Sequence, residues 1–110
     1  MNDKQLTILA AQAIKLEGEW IDGFGYRVPK PESKWEDAHH YWSPLTDDGD
    51  ALQLAVKLRI EIEPWIHGDE EWARTAVLEV LIDEPHNDDP YAATRRAIVK
   101  AAAEIGREMK

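Results

Sequence analysis

The sequence has no cysteine among its 110 residues. A disulfide framework, a zinc–thiolate site and a thiol nucleophile are therefore excluded, and the composition suits a reducing cytoplasm. It also has no apolar run near the roughly 20 residues that span a bilayer. Residues 1–5 lack a basic flank followed by an apolar segment, so we expect no signal peptide. These absences together predict a cytoplasmic protein.

Basic residues are few, with 13 lysines and arginines against 22 acidic residues and a net charge of −9. Nucleic-acid phosphates repel such a chain unless its basic side chains cluster, so we do not expect direct nucleic-acid binding. The same charge favours a protein partner with a basic surface, because complementary potentials steer association. Acidity that serves only solubility is the alternative interpretation.

Residues that could carry chemistry are also scarce. Neither of the two serines lies in a nucleophile elbow, and residues 23–25 lack the lysine and helix of a phosphate-binding loop. The adjacent His39 and His40 do not have the spacing typical of metal ligands. The acids that begin at Asp47 lack the full calcium-loop pattern. The sequence therefore predicts no catalytic residue, no cofactor and no metal site.

Hydrophobic periodicity predicts one α+β domain over residues 1–110. Its expected elements are a helix at about 3–16, an irregular region at about 17–46, a helix at about 48–58, strands at about 59–66 and 73–82, and a helix at about 90–109. The helix at 48–58 is apolar nearly all round and should be largely buried. The two strands should pair as an antiparallel hairpin with one solvated face. Asp89-Pro90 predicts a sharp helix start, with aspartate as N-cap and proline at the first helical position.

The irregular region combines glycine and proline with six aromatic residues. A solvated loop of this length with so many aromatic rings would be unusual, so some of them must pack on the core. Short strands are possible near residues 19–21 and 26–28. A pocket lined by the aromatic residues between positions 20 and 42 is one hypothesis that this composition supports.

Two segments resemble a known family. Residues 41–58 contain the pattern W-x-P-x-x-D-x-x-D-A, and residues 89–106 contain D-P-Y-x-A-x-R-x-A. Together with the N-terminal helix they make nearly the whole chain similar to the phage ABA sandwich domain, except about residues 23–36. The resemblance implies a phage or prophage product in the cytoplasm of an infected or lysogenic bacterium. It implies a three-layer α/β/α sandwich with three helices and a small, mainly antiparallel sheet, and no shared activity.

We therefore expect a phage accessory protein that acts non-enzymatically by binding a protein partner. A host factor or a defence component is the expected target, and an inhibitor of the anti-CRISPR kind belongs to this class. Tryptophan and tyrosine are enriched at interface centres, and acidic or basic side chains could frame them. The candidate contact residues are Trp35, Tyr41, Trp65, Trp72, Glu61, Glu63, Arg95 and Arg96.

Each candidate has a structural alternative. The aromatic rings could fill the core or cover a sheet edge, and the two arginines could belong to a solvated helix face. Two other functions stay open. One is a small ligand-binding or enzymatic domain that uses the aromatic pocket. The other is a phage assembly component that self-associates, and a homodimer is possible.

Overall fold

A computed structural model describes residues 1–29 and 39–109, which form three helices and six strands. The helices are α1 (Asp3–Ala13), α2 (Asp48–Leu58) and α3 (Pro90–Glu108). The strands are β1 (Glu19–Ile21), β2 (Gly25–Pro29), β3 (His39–Trp42), β4 (Glu61–His67), β5 (Glu70–Val77) and β6 (Val80–Pro85). This combination of helices with antiparallel strands confirms the predicted α+β class.

Side chains fix where the helices begin. Asn2 forms a capping box with Gln5 at the start of α1, and the Asp47 carboxylate accepts the Asp50 amide at the start of α2. At α3, Asp89 Oδ1 accepts the backbone amides of residues 91 and 92 at 3.1 and 3.0 Å. Such caps satisfy amides that have no partner inside the helix. The predicted helix start at Asp89-Pro90 is confirmed.

The strands form two separate sheets. Sheet A has the order β1-β2-β3 and sheet B the order β4-β5-β6, with antiparallel neighbours throughout. The prediction of one continuous strand over 73–82 is wrong, because the chain reverses at Leu78-Glu79 and pairs Val77 with Val80. Leu78 has a φ of 53°, which extended strands do not adopt. The apolar alternation continues through this turn and conceals it.

Helix α3 joins the parts of the fold, since it packs against α1, α2, β5 and β6. Small side chains allow this close approach: residues 101–103 are alanines that are fully buried. Gly106 lies so near α1 that an added Cβ would fall 1.9 Å from the Leu9 carbonyl oxygen. Among the described residues, no helix is long and apolar enough to cross a membrane.

Helix α2 differs from its prediction. It buries Ala51, Leu54 and Ala55, but Leu52 and Val56 are 58% and 68% exposed. The prediction of a largely buried helix is therefore wrong. The physical reason is that α2 packs on α3 through one face, which leaves apolar side chains on the other face in solvent.

Candidate functional site

Strands β5 and β6 of sheet B pack one face against α3, and the opposite face of the sheet lies in solvent. Thr75 marks the inner face, because it is fully buried and its hydroxyl donates to the Ala97 carbonyl of α3 at 2.8 Å. Successive strand residues point to opposite faces, and paired residues share a face. The register therefore defines an outer surface, here called the acidic face, that includes Glu61, Glu63, Glu70, Trp72, Arg74, Ala76, Leu81 and Asp83.

The acidic face carries an excess of negative charge. Arg74 lies in its centre and donates two hydrogen bonds to Asp83, from Nε at 2.7 Å and from Nη2 at 3.1 Å. The hydrogen bond to Asp83 is the largest influence on the pKa of Arg74 and raises it. Desolvation opposes this rise in part, and smaller Coulombic contributions from Asp83 and Glu63 add to it. This guanidinium is thus matched by Asp83. Glu61, Glu63 and Glu70 make the face acidic.

Three of the predicted contact residues meet on this face. Glu61 and Glu63 are exposed on β4, and Trp72 is half-buried on β5. Trp65 lies opposite Trp72 in the β4–β5 register. A depression of about 510 Å³ borders Trp72 and is also lined by Asp69, Glu70, Glu71 and His86. The structure therefore places Trp72 beside acidic residues, an arrangement suited to contact with a basic surface.

Tyr41 lies elsewhere, on sheet A. It stacks on Phe24 with the ring centroids 6.1 Å apart and the planes 21° apart. Both rings line a cleft of about 310 Å³, here called the aromatic cleft. Its aromatic lining residues are Trp20, Phe24, Tyr26, Tyr41 and Trp42. The cleft lies where the sequence suggests an aromatic pocket, and ligand binding there stays a prediction.

Tyr26 and Trp42 form the buried part of this cleft. Their rings meet edge to face with centroids 5.9 Å apart, a geometry that aromatic quadrupoles favour. The Tyr26 hydroxyl donates to the Leu16 carbonyl at 2.9 Å. Burial raises the pKa of Tyr26, so the side chain is a neutral phenol near neutral pH.

The two predicted arginines make contacts within the fold. Arg95 Nε donates to the Leu45 carbonyl at 2.9 Å, and Arg95 Nη1 donates to Asp48 at 2.6 Å. Arg96 Nη1 pairs with Asp3 at 3.0 Å. These contacts tie α3 to α1 and to the start of α2. A role for either arginine in partner contact stays a prediction.

Two aromatic residues, Trp35 and Phe24, need separate comment. Trp35 lies outside the described residues. Phe24 was not singled out by the sequence as a contact residue, although the structure exposes 71% of it. The available signal was its position between two glycines, Gly23 and Gly25, both of which have positive φ. A side chain at the tip of such a turn has few neighbouring residues that could cover it.

Within residues 1–29 and 39–109, no group of three histidine, aspartate or glutamate side chains is arranged to hold a metal ion. In comparisons with known proteins, no family model, no curated protein and no solved structure matches this chain. The resemblance to the phage ABA sandwich domain therefore depends on the two sequence segments alone and stays a prediction.

Proposed function

We propose that the protein acts by binding a protein partner with a basic surface, and that the acidic face of sheet B makes the contact. The observation that carries this proposal is the grouping of Glu61, Glu63 and Trp72 on one exposed face. Interfaces typically combine a buried aromatic anchor with a polar rim. Acidic rim residues raise the association rate with a basic partner and select against acidic ones.

The depression beside Trp72 gives the partner a specific anchor point. Asp69, Glu70 and Glu71 contribute to its lining together with Trp72, and Glu71 also lies 3.4 Å from His86 Nδ1. A lysine or arginine side chain inserted there would combine charge pairing with cation–π contact. This arrangement supports a partner that projects basic side chains rather than one that offers an apolar patch.

The proposed partner is a bacterial host or defence factor whose basic surface serves nucleic-acid binding, since such surfaces cluster lysine and arginine. A phage-encoded inhibitor of that kind would agree with the family resemblance. Self-association through the acidic face is disfavoured, because two copies would bring Glu61, Glu63 and Glu70 against like charges.

Affinity capture from a bacterial lysate at moderate salt tests this proposal with two matched variants. Glu61→Lys/Glu63→Lys reverses charge on the acidic face. Glu17→Lys/Glu108→Lys makes the same change in net charge at exposed positions outside it. We expect the wild type and the control variant to recover the same partner, and the acidic-face variant to lose it.

A second variant tests the aromatic anchor. Trp72→Ala should weaken binding of the recovered partner about tenfold or more, because central aromatic residues dominate interface energies. Circular dichroism on each variant confirms that the fold is retained. Equal recovery by both double variants would contradict the proposal, as would the absence of any partner that recurs with the wild type.

A further inference from the structure

The aromatic cleft of sheet A is a surface distinct from the acidic face. It is lined by residues of sheet A, of α1 and of the loop between β3 and α2, whereas the acidic face is the side of sheet B that points away from α3. Two of its rings are substantially open to solvent, since Phe24 is 71% and Tyr41 is 40% exposed. Clustered open rings around a concave site differ from single exposed apolar residues, which are ordinary.

The lining of the cleft favours a cation over an anion. Asp3 is its one charged side chain among the described residues, and no lysine or arginine contributes to the lining. Asp3 is paired with Arg96, so this carboxylate does not by itself carry the preference. The preference for a cation comes instead from the aromatic rings, because the quadrupole of an aromatic ring gives its face a negative potential.

The rim and the whole chain reinforce that preference. Asp22 lies beside the cleft, where it accepts a hydrogen bond from Trp20 Nε1 at 3.1 Å. Lys4 Nζ lies 3.7 Å from Asp22 and offsets its charge in part. The net charge of −9 raises the local concentration of cations near the surface and lowers that of anions.

We propose that the aromatic cleft binds a small organic cation with a quaternary ammonium head group, through cation–π contacts with Phe24, Tyr41 and Trp20. The volume of about 310 Å³ is at the lower end of the range for small-molecule sites, which suits a head group rather than a large cofactor. A quaternary ammonium has no N–H to satisfy, so the scarcity of charged acceptors in the lining costs it little.

Titration with choline tests the proposal, with 3,3-dimethylbutan-1-ol as a neutral probe of the same shape. Chemical shifts of the indole N–H groups report binding, and ionic strength is held constant with sodium chloride. We expect choline to bind at least about fivefold more tightly than the neutral probe, because only the cation interacts with the ring quadrupoles.

Three variants locate the site. Phe24→Leu and Tyr41→Leu keep an apolar side chain but remove a ring, and each should weaken choline binding about threefold or more. Tyr91→Leu is the matched control, since Tyr91 is an exposed ring on α3 outside the cleft. All three positions are exposed, so we expect the variants to fold, and thermal unfolding checks this.

Three results would overturn the proposal. One is equal affinity for choline and the neutral probe, which would make the cleft a simple apolar pocket. Another is loss of binding in Tyr91→Leu equal to that in the cleft variants. The last is no saturable shift with choline up to about 100 mM, a concentration well above the Kd of even a weak site. None of these measurements involves the protein partner proposed for the acidic face.

Discussion

The two sheets of this protein have the same topology but differ in strand length and in the size of the side chains that they bury. Each is an antiparallel meander of three strands, but sheet A has strands of three to five residues and sheet B has strands of six to eight. Sheet A buries the large rings of Tyr26 and Trp42, whereas sheet B places the small Ala73 and Thr75 against α3. We infer that burial of large side chains contributes more to the stability of sheet A. Backbone pairing and the close approach of α3 contribute more to that of sheet B.

Tryptophan truncation in each sheet should show this difference most strongly. Trp42 is 4% exposed and packed on Tyr26, so Trp42→Ala should lower the free energy of unfolding by about 4 kcal/mol. Trp72 is half-buried on the acidic face, and Trp72→Ala should cost about 1.5 kcal/mol, mainly lost apolar burial. Urea denaturation measures both. Similar costs for the two variants would show that Trp72 is a core residue and not a surface one.

Local signals predicted the helices and the character of sheet B. Asp89-Pro90 identifies the start of α3, and Glu61 and Glu63 alternate with apolar residues that point to the other face of β4. The reversal at Leu78-Glu79 escaped prediction because Val77 and Val80 flank it with the same apolar character as a continuous strand. The exposure of Leu52 and Val56 also escaped, since burial of a helix face depends on which elements pack against it.

The candidate sites depend on longer-range geometry. The position of Trp72 beside Glu70 on the outer face follows only once Thr75 is known to face α3. The aromatic cleft requires the β2–β3 pairing that sets Tyr26 opposite Trp42. Arg95 reaches Asp48 across 47 sequence positions, so a local pattern shows only a basic helix face. Composition can suggest that such sites exist, but it does not predict which residues the fold brings together.

Hydroxyl removal compares the polar contacts that anchor each sheet. Thr75→Val removes the bond to the Ala97 carbonyl, and Tyr26→Phe removes the bond to the Leu16 carbonyl. Each change should cost about 1 kcal/mol, the usual net value of one hydrogen bond. Thermal and urea unfolding measure both. A variant as stable as the wild type would show that its hydroxyl contributes packing alone.

Tyr26→Phe also has an expected pH dependence. Burial raises the pKa of the Tyr26 phenol, so folding favours its protonated form. The resulting stabilisation is complete below the unfolded-state pKa of about 10 and is lost as the pH rises through the folded-state value. Unfolding free energies of the wild type should therefore fall more steeply above about pH 10 than those of Tyr26→Phe. Parallel curves for the two proteins would contradict this assignment.

The smallest expected effects concern the turns that close the two sheets. The β1–β2 turn of sheet A has glycine at positive φ, Gly23 at 87°, whereas the β5–β6 turn of sheet B has Leu78 at 53°. A left-handed conformation costs a leucine about 1 kcal/mol, and asparagine tolerates it better. Leu78 is 92% exposed, so Leu78→Asn loses little burial and should stabilise the protein by about 0.5 kcal/mol.

Gly23→Ala should destabilise the protein by about 1 kcal/mol through backbone strain alone, because an added Cβ meets no atom within 4 Å. Opposite signs in urea unfolding would confirm that sheet B tolerates a strained turn where sheet A does not. A destabilising Leu78→Asn would instead show that the exposed leucine contributes contacts that offset its strain.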